Sequence, residues 1–173
     1  MNPEIILSDK INITNIKRIA AWAADNRENK EKLWSFVHSS DRRTSVNALW
    51  AMTHLPVSES DWIFTLRDEM IDMLMSETDP GKKRMLLQIL RDQDYEPEHI
   101  RTDFLDFCMS KINSECEPYA VRCFCIYTAF KMCVHYPELI SEFEQHLGMM
   151  LFQSLSPGLE SALRQTKAKI SKL

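Results

Sequence analysis

The sequence predicts an all-α chain that repeats one two-helix unit along its length. Three observations predict this. Only three of the 173 residues are glycine, few for a β-rich fold full of tight turns. Leu, Met, Ala, Glu, Lys and Arg are plentiful, and all favour helix. Finally, one local pattern restarts at Asp41, Asp79-Pro80, Glu117-Pro118 and Ser156-Pro157, at intervals of 38, 38 and 39 residues. Each restart offers an acidic residue or Ser as an N-cap. The last three add Pro at the first helical position, where its missing N–H costs nothing. Self-similarity near forty residues with two helices per unit marks an α-solenoid.

Taken in order, residues 1–13 read as an N-terminal arm whose Ile5, Ile6 and Leu7 can tuck onto the first helix. Thr14 caps that helix, which runs to about Asp25 with Ile16, Ile19, Ala20 and Ala23 at helical spacing. Asn29 opens a second helix with Leu33, Trp34 and Val37 on one face, and residues 14–40 form a divergent N-terminal cap pair. The repeats follow at 41–78, 79–116 and 117–155, with 156–173 as a closing helix. In the first repeat one helix spans Asp41 to about Leu55, its apolar side Val46, Leu49, Trp50, Met52 and Leu55, and Pro56 ends it. Ser58 or Ser60 caps its partner, which runs to about Ser76 with a wide stripe of Trp62, Ile63, Leu66, Met70, Met73 and Leu74. The later pairs are 80–93 with 97–114 and 118–135 with 138–154, breaking at Pro97 and Pro137. The closing helix, 157–172, has Leu159, Leu163 and Ile170 on one side and Glu160, Arg164, Gln165, Lys167, Lys169 and Lys172 elsewhere. One apolar and one charged side suit the end of an array.

Thr44-Ser45-x-x-Ala48-Leu49-x-Ala51-Met52 in the first repeat is echoed by Lys82-Lys83-x-x-Leu86-Leu87-x-Ile89-Leu90 in the second. The third carries a Val-Arg pair, Val121-Arg122, displaced by one position. On these residues, over about 41 to 172, the chain resembles the HEAT-like repeats of the armadillo-like superfamily. The resemblance implies a right-handed α-α superhelix of about four helix pairs plus a C-terminal capping helix, with the second helices lining a concave face. It implies a non-catalytic protein-interaction scaffold. The alternative within the superfamily is a DNA-binding or DNA alkylation repair glycosylase-like protein. Trp50, Trp62 and several carboxylates suit that alternative, but the second helices have no sustained basic face.

The formal charge of −4 argues against a nucleic-acid partner. Residues 1–10 have neither a basic start nor a long apolar run, so no signal peptide is expected, and no stretch reaches the ~18 apolar residues of a membrane span. Five cysteines, an odd number with four inside predicted helices, point away from a disulfide framework and toward a reducing, cytoplasmic setting. Cys123 and Cys125 are separated by about 200° of helical rotation, so their thiols diverge. No spacing gathers four metal ligands, and no metal or cofactor is expected. A nucleophilic pairing of Cys133 with His135 or His146 has no motif behind it, and no catalytic residue is assigned. His38, His54 and His135 fall in last helical turns, where a cation complements the dipole. Arg42-Arg43 and Lys82-Lys83-Arg84 stand at helix N-termini, as a solvated ridge.

Two surfaces remain as partner sites. The repeat offsets align Thr65, Asp103 and Glu142, then Asp68, Asp106 and Gln145 one turn on, then Asp72, Ser110 and Met149. This polar, acid-leaning strip on the second helices suits a protein or peptide partner that is basic or polar. Met75 and Met149 are the methionines expected to be exposed, with Met70 and Met73 in the core. Helix 118–135 is apolar nearly all round, so it is either internal or a seam, with Phe124, Tyr127 and Phe130 as contacts for a homodimer.

Overall fold

The structure is a computed structural model and describes residues 1–173. It is all-α, with eleven helices joined by short loops and single 3₁₀ turns. The chain forms two compact units, Met1–Met70 and Ile71–Leu173.

The first unit begins with a helix where the sequence suggests only an arm. α1 (Pro3–Ser8) is capped by the Asn2 side chain, which accepts from the amides of Glu4 and Ile5. It packs on α4, the first helix of the first repeat, and buries Leu7. α2 (Ile13–Asp25) is capped by Asn12 and α3 (Arg27–Val37) by Asn26, two or three residues before the expected caps. Asparagine accepts from the third amide at each start. Asn29 has a different role: its side chain donates to the Trp22 carbonyl at 2.8 Å. α2, α3 and α4 (Arg42–Met52) all pack on one another.

α4 is turned from the expected orientation. Its buried face is Thr44, Ser45, Asn47, Ala48, Leu49, Ala51 and Met52, while Val46, Trp50 and Leu55 are half-buried. Ser45 and Asn47 are satisfied by backbone of neighbouring segments: Ser45 donates to the Val37 carbonyl at 2.5 Å, and Asn47 to the Leu7 and Asp9 carbonyls at 2.8 and 3.2 Å. Small residues let neighbouring backbone approach, and the hydrogen bonds offset the desolvation of their polar atoms. The expected helix from Ser60 to Ser76 is in fact two, α5 (Ser60–Thr65) and α6 (Arg67–Ser76). The turn tightens at Leu66, whose amide reaches back three residues to the Ile63 carbonyl at 3.0 Å. Neither Pro nor Gly marks that break.

In the second unit, Asp79 caps α7 (Pro80–Arg91) through bonds from the Gly81 and Lys82 amides at 2.8 and 3.1 Å. Pro97 opens a 3₁₀ turn, and α8 (Thr102–Ile112) starts five residues later. α9 (Tyr119–Cys133) packs on α7, α8, α10 (Pro137–Met149) and α11 (Pro157–Ile170). Four neighbours explain why its sequence has no polar face. First helices α7, α9 and α11 form one layer; α8 and α10 form the other. Ser156 caps α11 as its sequence predicts, and Leu159, Ala162, Leu163, Thr166 and Ile170 are buried while Glu160, Arg164, Gln165 and Lys169 are exposed. No helix is long and apolar enough to cross a membrane.

Candidate functional site

The repeat offsets place all eight residues of the predicted strip in solvent. Thr65 and Asp68 are exposed in the first unit; Asp72, Asp103, Asp106, Glu142, Gln145 and Met149 are exposed in the second. Phe104, Leu105, Cys108 and Ile112 fill the core side of α8, and Phe143 and Leu147 that of α10, so the row occupies the faces left over. Thr65 also lines a groove of about 500 Å³ with Trp34, Trp62, Arg27 and Lys30, where the Lys30 ammonium stands 5.8 Å from the Trp62 ring centroid and pairs with Glu59.

In the second unit the strip contains a cation that the sequence reading missed. Arg101, at the start of α8, contacts the carboxylates of Asp72 and Asp103, each at 2.7 Å. The Asp103 carboxyl is held below its usual range, first by the Arg101 hydrogen bond. Arg101 therefore neutralises part of the row and ties α6 to α8, leaving the acidic character to Asp106 and Glu142. Met149 is 48% exposed, whereas Met75 is only half-buried.

The expected seam has a different setting. Phe124, Tyr127 and Phe130 are each half-buried. The Arg91 guanidinium lies over Phe124 at 4.8 Å and the Lys169 ammonium over Phe130 at 5.9 Å. Tyr127 and Phe130 join Arg91, Asp92, Lys131 and Lys169 around a groove of about 550 Å³. The repeat register does not align these three cations: Arg91 corresponds to Ala129 and Lys131 to Ile170, so only the packing of α7, α9 and α11 brings them together.

The remaining polar clusters are structural. Lys83 leaves the expected solvated ridge and pairs with Glu117 at 3.1 Å, while Lys111 reaches the same carboxylate at 3.0 Å. Burial works to raise the Glu117 pKa, but the two lysines outweigh it and hold the carboxyl below its usual range. Arg122 is 1% exposed and donates through Nε to the Ile112 carbonyl at 2.9 Å and through a terminal nitrogen to Gln153 Oε1. All five cysteines are free thiols. Cys108, Cys125 and Cys133 are buried, Cys123 is half-buried and Cys116 exposed. Burial pushes Cys133 up to about 12, so almost none of it is thiolate at neutral pH. Burial likewise raises Cys108, helped by its neighbour Cys125.

A HEAT repeat domain model matches residues 4–170. No curated protein and no solved structure matches the chain.

Proposed function

Because the chain belongs to the HEAT repeat domain family, we propose that it is a non-catalytic scaffold that binds a basic or polar segment of another protein along its second helices. The observation that carries this reading is the exposure of every residue the repeat register assigns to the row. Three successive second helices, α6, α8 and α10, contribute Asp72, then Asp103 and Asp106, then Glu142, Gln145 and Met149. An extended peptide crossing them would meet a carboxylate on each helix, and the apolar stem of a lysine would lie against Met149. Arg101 makes the row selective: it already occupies Asp72 and Asp103, so a partner's cations are directed to Asp106 and Glu142.

The test is fluorescence anisotropy with a labelled Lys-rich peptide at low ionic strength, where exposed charges act over about 10 Å or more. The wild-type protein binds it, and Asp106→Asn combined with Glu142→Gln weakens binding at least about tenfold. Both side chains are exposed, so the double variant keeps its fold. Unchanged binding by that variant removes the row as the docking surface. The homodimer reading of Phe124, Tyr127 and Phe130 is separate, and sedimentation velocity across a concentration series decides it.

A further inference from the structure

The groove on the first-helix layer has the opposite charge to the row on the second helices. Arg91 ends α7, Lys131 lies near the end of α9, and Lys169 lies in the last turn of α11, so three adjacent helices each bring one cation to one mouth. Tyr127 and Phe130 form its aromatic wall. We propose that this groove is a second docking site, and that its occupant is an acidic peptide segment bearing an aromatic side chain.

Charge complementarity carries the assignment. Asp92 takes Arg91 Nε and one terminal nitrogen, each at 2.9 Å, which leaves the second terminal nitrogen for an incoming carboxylate. Lys131 donates to the Gln93 carbonyl at 2.8 Å, a neutral acceptor that uses one of its three protons. Burial lowers the Lys131 pKa, against the pull of Asp94 and Asp92 nearby. A partner carboxylate would favour its charged form. Lys169 is exposed and stacked over Phe130, so its ammonium is held at the rim. Asp92 in the lining and Asp94 near Lys131 leave the three cations with an excess of one positive charge, enough for one carboxylate. A nucleic-acid backbone needs a longer basic track than three cations, on a chain whose net charge is −4. The volume, about 550 Å³, admits one aromatic side chain with its flanking backbone.

The test uses two fluorescein-labelled peptides with a central Phe, one flanked by Glu and the other by Lys, and a single-stranded oligonucleotide, at about 50 mM salt. The Glu peptide is expected to bind and to keep its affinity when Asp106→Asn and Glu142→Gln are introduced. Lys169→Glu is expected to weaken it at least about tenfold while Lys169→Arg retains it. Lys169 is exposed, and circular dichroism confirms that both variants stay folded. The proposal is overturned if Lys169→Glu binds the Glu peptide as the wild type does. It is equally overturned if Lys131→Gln binds the Glu peptide as tightly as the wild type does, or if the oligonucleotide binds more tightly than the peptide.

Discussion

The two units solve one problem with different chemistry. In the first unit, Ser45 on α4 donates to the carbonyl of Val37, the last residue of α3. In the second, Arg122 on α9 donates to the carbonyl of Ile112, the last residue of α8. Each ties a first helix to the C-terminal end of the helix before it and satisfies a carbonyl that has no intrahelical donor. Ser45 does so with a neutral hydroxyl that needs nothing else. Arg122 brings a charge into a site 1% exposed, so it recruits Gln153, whose amide donates in turn to the Asn113 carbonyl at 3.1 Å. The guanidinium therefore joins three segments where the hydroxyl joins two. What recurs between repeats is the task of closing a helix end, not the residue that performs it.

The largest effect is expected at Arg122. Arg122→Met keeps the apolar stem but leaves the Ile112 carbonyl and the Gln153 side chain without their donor. The loss is about 3 kcal/mol in urea unfolding, the magnitude of removing one member of a buried charged network. The chain carries a built-in way to locate it. All four tryptophans, at positions 22, 34, 50 and 62, belong to the first unit. Arg122→Met should shift the transition seen by far-ultraviolet circular dichroism further than the one seen by tryptophan fluorescence. Coincident transitions would mean that the two units unfold as one.

Glu117 comes next. It holds two lysines at once with its side chain only 10% exposed, so Glu117→Gln costs about 1–2 kcal/mol at neutral pH. The sign of its pH dependence is fixed by its depressed pKa. Its contribution is fully present above the ordinary carboxylate value of 4.5 and is lost as pH falls through the lower folded-state value. Acid unfolding followed by circular dichroism should therefore show a shallower loss below about pH 4.5 in Glu117→Gln than in wild type. Ser45→Ala in the first unit removes one neutral bond and costs about 1 kcal/mol. A cost equal to that of Arg122→Met would undo the comparison.

The fold was legible because period and caps are local signals. The restarts at Asp79 and Ser156 are side-chain caps, whereas Asp41 precedes α4 without a side-chain capping bond and Pro118, not Glu117, stands at the cap of α9; Leu86, Leu87, Ile89 and Leu90 are all core. α9 has no polar face because four helices surround it. The register also put the acidic row in solvent. The misses come from residues whose role depends on a partner distant in sequence. Ser45 and Asn47 look like surface residues until Val37, Leu7 and Asp9 present their carbonyls. Arg101 is an ordinary surface cation until Asp72 comes within 2.7 Å of it. The break at Leu66 has no signal in composition, because an i→i−3 turn requires no special residue.

The smallest effect tests the same chemistry with the sign reversed. Thr128 on α9 is fully buried, and its hydroxyl has no hydrogen-bond partner. A buried hydroxyl without a partner forfeits its hydration and gains nothing in return, so removing it relieves a cost. Valine has nearly the same shape and the same branching at Cβ, which keeps the packing against the neighbours of α9 intact. Thr128→Val should therefore stabilise the protein by up to about 1 kcal/mol, read as a higher urea midpoint with an unchanged slope. Ser45→Ala and Thr128→Val each delete one fully buried hydroxyl, yet the first should destabilise and the second stabilise. The difference lies in the Val37 carbonyl 2.5 Å from Ser45 Oγ. If both variants destabilise equally, burial of the hydroxyl rather than its bonding governs both sites, and the helix-end task assigned to Ser45 loses its energetic basis.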